Sequence, residues 1–298
     1  MKWKAEQMPD QTGKIAIVTG SNTGIGFQMA QGLAAKGATV ILACRNLQKA
    51  ESAKDRILQK NPSANLIIEQ LDLADLSSVE NFSNIISSSY QRIDLLINNA
   101  GVMIPPKSMT KDGFELQIGT NHLGHFALTA HLIPLLEQAD SPRIVTLSSI
   151  ANNMGVMDFE DLNGHNKKYN KWGMYGQSKL ANILFSLELG RRLKEKGSHI
   201  KSLCSHPGYS ATDLQRYSLT WRFLNLFAAI SAEKGAAPTL YAATEEDALS
   251  HPYWGTVGFF EARGWPGKAV INSKAMNEDD AKRLWKISEE LTNVSYLS

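Results

Sequence analysis

The chain lacks most of the features that assign a protein to a special class. It has only two cysteines in 298 residues, Cys44 and Cys204. Both lie in apolar, strand-like runs (VILAC and IKSLC), which suits buried free thiols in a reducing compartment rather than a disulfide. No run of about 18 apolar residues occurs, so no membrane-spanning helix is expected. The first residues, MKWKAEQMPDQTGK, lack the apolar stretch of a secretory signal. Charge of one sign is also missing. The formal net charge is +2, with Lys and Arg scattered along the chain, which gives no footing for nucleic acid or an anionic membrane surface. His122, His125 and His131 fall close together, but no Cys, Asp or Glu joins them at ligand spacing, so no metal is expected. These absences point to a cytoplasmic globular protein.

What is present is strand–helix alternation. The 43% hydrophobic and 20% charged residues are ordinary for a soluble domain, and the length allows one large core. Near-continuous apolar runs read as parallel strands covered on both faces: KIAIVTG (14–20), ATVILAC (38–44), LIIEQLD (66–72), IDLLINN (93–99), RIVTLSS (143–149) and IKSLCSH (200–206). A seventh strand is expected near GTVGFF (255–260). Helical patterns lie between. GIGFQMAQGLAAK runs into Gly37 as C-cap, LQKAESAKDRILQK stops before Asn61-Pro62, and LSSVENFSNIISSSY opens on a serine capping pattern. No linker divides the chain. The expectation is a single α/β domain over residues 1–298, a Rossmann-type doubly wound parallel sheet of about seven strands with helices on both faces, and a ligand at the carboxyl ends of the strands.

The first strand leads into TGSNTGIGF. Glycines let the backbone turn tightly and come close to a pyrophosphate, and the helix that follows offers free N–H groups and a partial positive charge. Between a strand and a helix this pattern predicts a dinucleotide held by Gly20, Ser21, Asn22, Thr23, Gly24, Ile25 and Gly26. The second strand ends Cys44-Arg45-Asn46. An acid there would hold a ribose 2′-OH, whereas the guanidinium of Arg45, next to Asn46, suits a 2′-phosphate. NADP(H) is therefore expected over NAD(H). Asp72, followed by Leu73, either hydrogen-bonds an adenine amino group or caps the following helix. Asn99, Ala100 and Gly101 supply small residues and an amide where backbone presses on ribose or adenine.

YGQSKL holds Tyr175 and Lys179 one helical turn apart, on one face. Such a pair is common. Its setting makes it specific: TGSNTGIG, the Asp72 position, NNAG, Asn121 in GTNHLGHF, Ser149 in VTLSS, YGQSK and HPG at 206–208 stand in this order. In this the chain resembles the short-chain dehydrogenase/reductase family over nearly its whole length. ACRN, GTNHLGHFALT and SKLANILF resemble its retinol dehydrogenase and protochlorophyllide reductase branch, which generally uses NADP(H). The resemblance implies a catalytic tetrad of Asn121, Ser149, Tyr175 and Lys179, with Tyr175 and Lys179 also contacting the cofactor. A phenol is too weak an acid alone, and a cation one turn away should lower its pKa. Ser149 would polarise the substrate oxygen, and Asn121 would support a water that links Lys179 to solvent.

The stretch from Ser149 to Tyr175 is longer than in much of the family, because of a polar insertion at about 151–172 beside the catalytic helix. Monomer and homodimer both stay open. After the sixth strand, Pro207 and Gly208 would turn over the nicotinamide, and Thr212 could bond its carboxamide or the pyrophosphate. Leu214, Trp221, Phe223 and Phe227, within 210–232, form either a mobile substrate lid or a core helix. The expected function is hydride transfer between NADP(H) and a small-molecule carbonyl or alcohol, lipophilic in character. The alternative is a non-catalytic NADP(H)-binding redox sensor of the same fold.

Overall fold

A computed structural model describes residues 2–166, 168–208, 231–258 and 261–297. Among these described residues eight strands form one sheet in the order β3-β2-β1-β4-β5-β6-β7-β8. They are β1 Ile15–Thr19, β2 Thr39–Cys44, β3 Leu66–Gln70, β4 Leu95–Asn98, β5 Arg143–Leu147, β6 Lys201–Ser205, β7 Tyr253–Val257 and β8 Trp265–Lys268. The seven expected strands are parallel. The eighth, which the sequence reading does not anticipate, returns antiparallel on β7. It contains Pro266, whose missing N–H is tolerated on an edge strand. The seventh strand also begins earlier than expected, at Tyr253.

The main helices are α1 Gly24–Ala35, α2 Leu47–Lys60, α3 Leu76–Ser89, α4 Gly124–Leu136, α5 Lys171–Glu195, α6 Ala232–Thr244 and α7 Glu278–Thr292. Alternate strand residues feed two cores. Ala16, Val18, Val40 and Leu42 pack with Met29, Leu33 and Leu240 on one face. Ile17, Ile41 and Leu96 pack with Phe82, Phe126 and Phe185 on the other. Burial on both faces is why the strands read as unbroken apolar runs. The strand order reverses between β1 and β4, and a cleft opens outside the carboxyl ends there.

Helix ends follow local chemistry. Gly37, just past α1, has φ +90, as a left-handed C-terminal glycine should. Asn46 caps α2 through Lys49 N–H. The cap of α3 is Asp75, which accepts from Ser77 N–H at 3.0 Å, rather than a serine. That corrects the serine capping pattern and removes the reading of Asp72 as that cap: β3 ends at Gln70, and Asp72 instead accepts Ala74 N–H at 3.0 Å in the turn that follows. Among the described residues no helix is long and apolar enough to cross a membrane. Both cysteines are buried free thiols. His122 and His125 are buried packing residues: His122 meets Ser288 Oγ at 2.9 Å, and His125 lies between Thr19 Oγ1 and the Asn121 carbonyl, 3.0 Å from each.

Candidate active site

The cleft encloses about 690 Å³. Its nucleotide end is backbone. Gly20 has φ +66, and a Cβ there would lie 3.0 Å from Ala100. A Cβ on Gly26 would fall 2.4 Å from Gly20 O and 2.5 Å from Asn99 Nδ2. These contacts fold the glycine loop flat against the strand-end segment Asn99–Gly101. Thr19 is the hub of that contact. Its Oγ1 accepts the N–H groups of Asn99 and Ala100, each at 2.9 Å, while Asn99 Nδ2 donates to Thr19 O at 2.6 Å. Asn22, Thr23, Gly24, Ile25 and Gly26 line the cleft at the first turn of α1. Ser21 does not: it is fully buried, with Oγ 3.4 Å from Cys44 Sγ. The cradle fits a bound dinucleotide, because side chains are excluded where a pyrophosphate must approach backbone.

Arg45, Asn46, Asp72 and Leu73 also line the cleft. Arg45 Nε stands 4.0 Å from Asp72 Oδ2, and the Arg45 side chain is 62% exposed. So long and open a pair contributes little to stability and leaves the guanidinium available. Sequence reasoning missed the neighbours on α2. Lys49, Ser52 and Arg56 line the same wall at one-face helical spacing, and Arg56 lies over the Phe27 ring at 4.0 Å. The signal available was that spacing, which reads equally as a solvated face.

At the other end, Ser149, Tyr175 and Lys179 line the cleft together, despite the insertion. Ser149 closes the turn after β5, where its Oγ accepts Ala151 N–H at 3.2 Å and shares a hydrogen bond with Tyr175. Ser148 also lines the cleft, but its hydroxyl is committed, donating to Lys179 O at 2.7 Å. Tyr175 is 6% and Lys179 5% exposed. Lys179 Nζ donates to Leu147 O at 3.2 Å and lies 5.8 Å from the centre of the Tyr175 ring. One expectation is corrected here. Burial dominates in the protein alone and pushes the Tyr175 phenol up to about 12, with only the Ser149 hydrogen bond opposing it. Burial also brings Lys179 down to about 8.

Asn121 lies outside the cleft wall, fully buried in a π-helical turn, Gly119–Leu123, ahead of α4. Such turns recur at functional sites. Its side chain clamps Val102, accepting from the N–H at 2.8 Å and donating to the carbonyl at 3.0 Å. It also donates to Ser178 Oγ at 3.0 Å. Its amide thus serves backbone and a neighbouring hydroxyl. Pro207 and Gly208 line the cleft, with Gly208 at φ +68. Thr212, Leu214, Trp221, Phe223 and Phe227 lie outside the described residues. Ser231, near the expected lid's end, caps α6 through Lys234 N–H.

The insertion is fastened to the catalytic helix by residues of YGQSKL that sequence reasoning left unassigned. Gly176 and Gly155 meet so closely that a Cβ on Gly155 would lie 2.4 Å from Gly176 O. Gln177 accepts Asp158 N–H and donates to Leu162 O, both at 3.0 Å.

Sheet order, glycine loop and cleft define a nucleotide-binding protein of the doubly wound α/β class. The short chain dehydrogenase family profile matches residues 14–222. The chain is 39% identical to retinol dehydrogenase 12 of Mus musculus over 290 residues, 95% of this chain and 88% of that protein. It is 41% identical to retinol dehydrogenase 13 of Homo sapiens over 293 residues, 95% and 85% of the two chains. A solved structure from Mycobacterium Paratuberculosis aligns with TM-score 0.83 at 39% identity, covering 99% of each chain. The Pseudomonas aeruginosa RhlG/NADP active-site complex shares the fold at TM-score 0.65 and 23% identity, over 82% of this chain and 94% of that one. The chain belongs to the short-chain dehydrogenase/reductase family, in a retinol dehydrogenase-like branch. It is accordingly an oxidoreductase of the hydride-transfer type, acting on alcohols or carbonyls.

Proposed function

We propose that the protein is an NADP(H)-dependent reductase or dehydrogenase of lipophilic carbonyls and the corresponding alcohols. The observation that carries this reading is the meeting of Ser149, Tyr175 and Lys179 on the same cleft as the glycine cradle. A nicotinamide cofactor, when bound, supplies or accepts the hydride at the carbonyl carbon. Gly20, Gly24 and Gly26 bind its pyrophosphate, Asn99–Gly101 back its ribose, and Asp72 accepts from its adenine amino group. Arg45 binds a 2′-phosphate in place of the acid that would select NAD(H).

Tyr175 gives its hydroxyl proton to the carbonyl oxygen during reduction and takes it back during oxidation. Ser149 Oγ donates a hydrogen bond to the same oxygen. A buried phenol held at about 12 resists ionisation, so the positive charge of Lys179 has to offset the charge left on Tyr175 Oη. Lys179 stays protonated up to about pH 8, which covers neutral conditions. Asn121, through Val102 and Ser178, keeps the floor of the site in place. The lipophilic preference is supported by the apolar wall beside Tyr175, formed by Met103, Ala151, Met154 and Trp172, and by the alcohol named in the retinol dehydrogenase relatives.

The test is NADPH consumption against a panel of aldehydes, ketones and quinones, with Tyr175→Phe as control. Wild type should turn over apolar members and the variant should not. Equal behaviour on every substrate, with NADPH bound but unconsumed, overturns the enzymatic reading in favour of the redox sensor.

A further inference from the structure

Ile104 is a buried, β-branched residue held at φ +47, a left-handed conformation that is strained for such a residue. The strain persists because two amide side chains over-determine the segment. Asn121 holds both polar backbone atoms of Val102. Gln117, one helical turn earlier, accepts Ile104 N–H at 2.8 Å. Between the two clamped residues stands Met103, which lines the cleft beside Tyr175. Ile104 itself packs in a small cluster with Ala151 and Tyr175.

Gln117 is fully buried and committed on its other side too. Its Nε2 donates to Lys171 O, the first residue of the helix that carries Tyr175, at 2.9 Å. It also stands 3.4 Å from Tyr169 Oη. Tyr169 Oη donates in turn to Glu115 Oε1 at 2.8 Å, and Glu115 Oε2 accepts the N–H groups of Gln117 and Ile118 at 3.0 and 2.9 Å. One glutamine thus ties the loop after β4 to the start of α5. We infer that Met103 is a specificity-determining residue that contacts the apolar part of the substrate, and that Gln117 is the positioning residue that presents it. A thioether suits the task, being apolar, flexible and polarisable. The inference rests on the carbonyl-reductase reading above and adds the residue that selects the substrate's size.

The test compares kcat/KM for decanal and propanal with NADPH. Met103→Ala should lower the preference for decanal by about tenfold, the scale of removing a few methylene contacts. Gln117→Met should lower it in the same direction, through KM for decanal, with KM for NADPH unchanged. The double variant should be no worse than the more damaged single one, because both act on one contact. Additive losses, an unchanged preference in Met103→Ala, or a raised KM for NADPH in Gln117→Met overturns the inference. A crystal structure of Gln117→Met reads the clamp without any turnover: Ile104 should leave the left-handed region, and an unmoved Ile104 sinks the positioning role. Gln117→Asn, one methylene shorter, serves if the methionine variant does not fold. If wild type turns over no carbonyl, the proposed function fails, while the structural readout still decides on the clamp.

Discussion

The two ends of the cleft are built from different materials. At the nucleotide end the working surface is main chain: Gly20, Gly24, Gly26 and the Asn99–Gly101 segment, with Gly20 and Gly26 packed where a Cβ would not fit. At the carbonyl end it is side chain: Ser149 and Tyr175 bonded to each other, Lys179 held by the Leu147 carbonyl, and Met103 set between the clamped backbones of Val102 and Ile104. Main-chain surfaces leave local signatures, because only glycine and small residues permit them. Side-chain surfaces scatter their supports, because a buried amide can bond any backbone that passes.

Mutations should separate the ends in graded steps. Tyr175→Phe should lower kcat by about 10²- to 10⁴-fold, the usual share of a general acid. NADPH affinity, read by fluorescence titration, should move less than about twofold, since the loss touches one end only. A comparable loss of cofactor affinity would erase the distinction. Gly26→Ala should do the reverse. Its methyl would press on Gly20 O, so cofactor affinity should fall by about 100-fold or the loop should fail to form, as overpacking against backbone predicts. Gly190→Ala on α5, where a Cβ meets nothing closer than 3.8 Å, should instead raise stability by roughly 0.5–1 kcal/mol. Arg45→Asp should cost about 10- to 100-fold in kcat/KM with NADPH and improve NADH, in line with losing a charge-assisted phosphate contact. A wild type that prefers NADH would end that reading.

A pH titration probes the joint between the ends. His125 links Thr19 to Asn121, and burial holds it neutral, its pKa brought down to about 4; His122 is brought down to about 3. Both lie below the ordinary value of 6.5. The unfolded chain therefore takes up protons that the fold refuses, and stability should fall as pH drops from 6.5 towards 4. Urea midpoints across that range should show it, and a flat profile would contradict the buried, neutral assignment.

The contrast also explains what the sequence could reveal. The apolar runs, the stop of α2 before Asn61-Pro62, the glycine loop and the order of motifs are local patterns, and they gave the sheet and the nucleotide end. The antiparallel β8 was hidden, since Trp265–Lys268 carries a proline and no alternation. Asp72 read equally as an adenine partner or a helix cap, and Asp75 fills the cap. The Tyr175–Lys179 spacing was visible, but burial reversed the expected pKa shift of the phenol. Gln117, Tyr169 and Gln177 carried no signal, because their partners lie far away in sequence and any amide or phenol could have stood exposed.

The glycine contact between residues 155 and 176 has a consequence for how the chain varies in length. The insertion is pinned at Gly155, at Asp158 and Leu162 through Gln177, and at Tyr169 and Lys171 through Gln117. One long loop is thereby divided into several short ones, and a polymer's closure entropy is set by each segment separately. Asn163, Gly164, His165 and Asn166 are tied down as well, to Glu115, Lys107 and Asp161. Added residues between Asn166 and Tyr169 should cost little, about 0.6 kcal/mol for each doubling of that segment. Added residues between Gly155 and Asn166 would have to break a pin. Tolerance to insertion in this region should therefore be confined to a single short window.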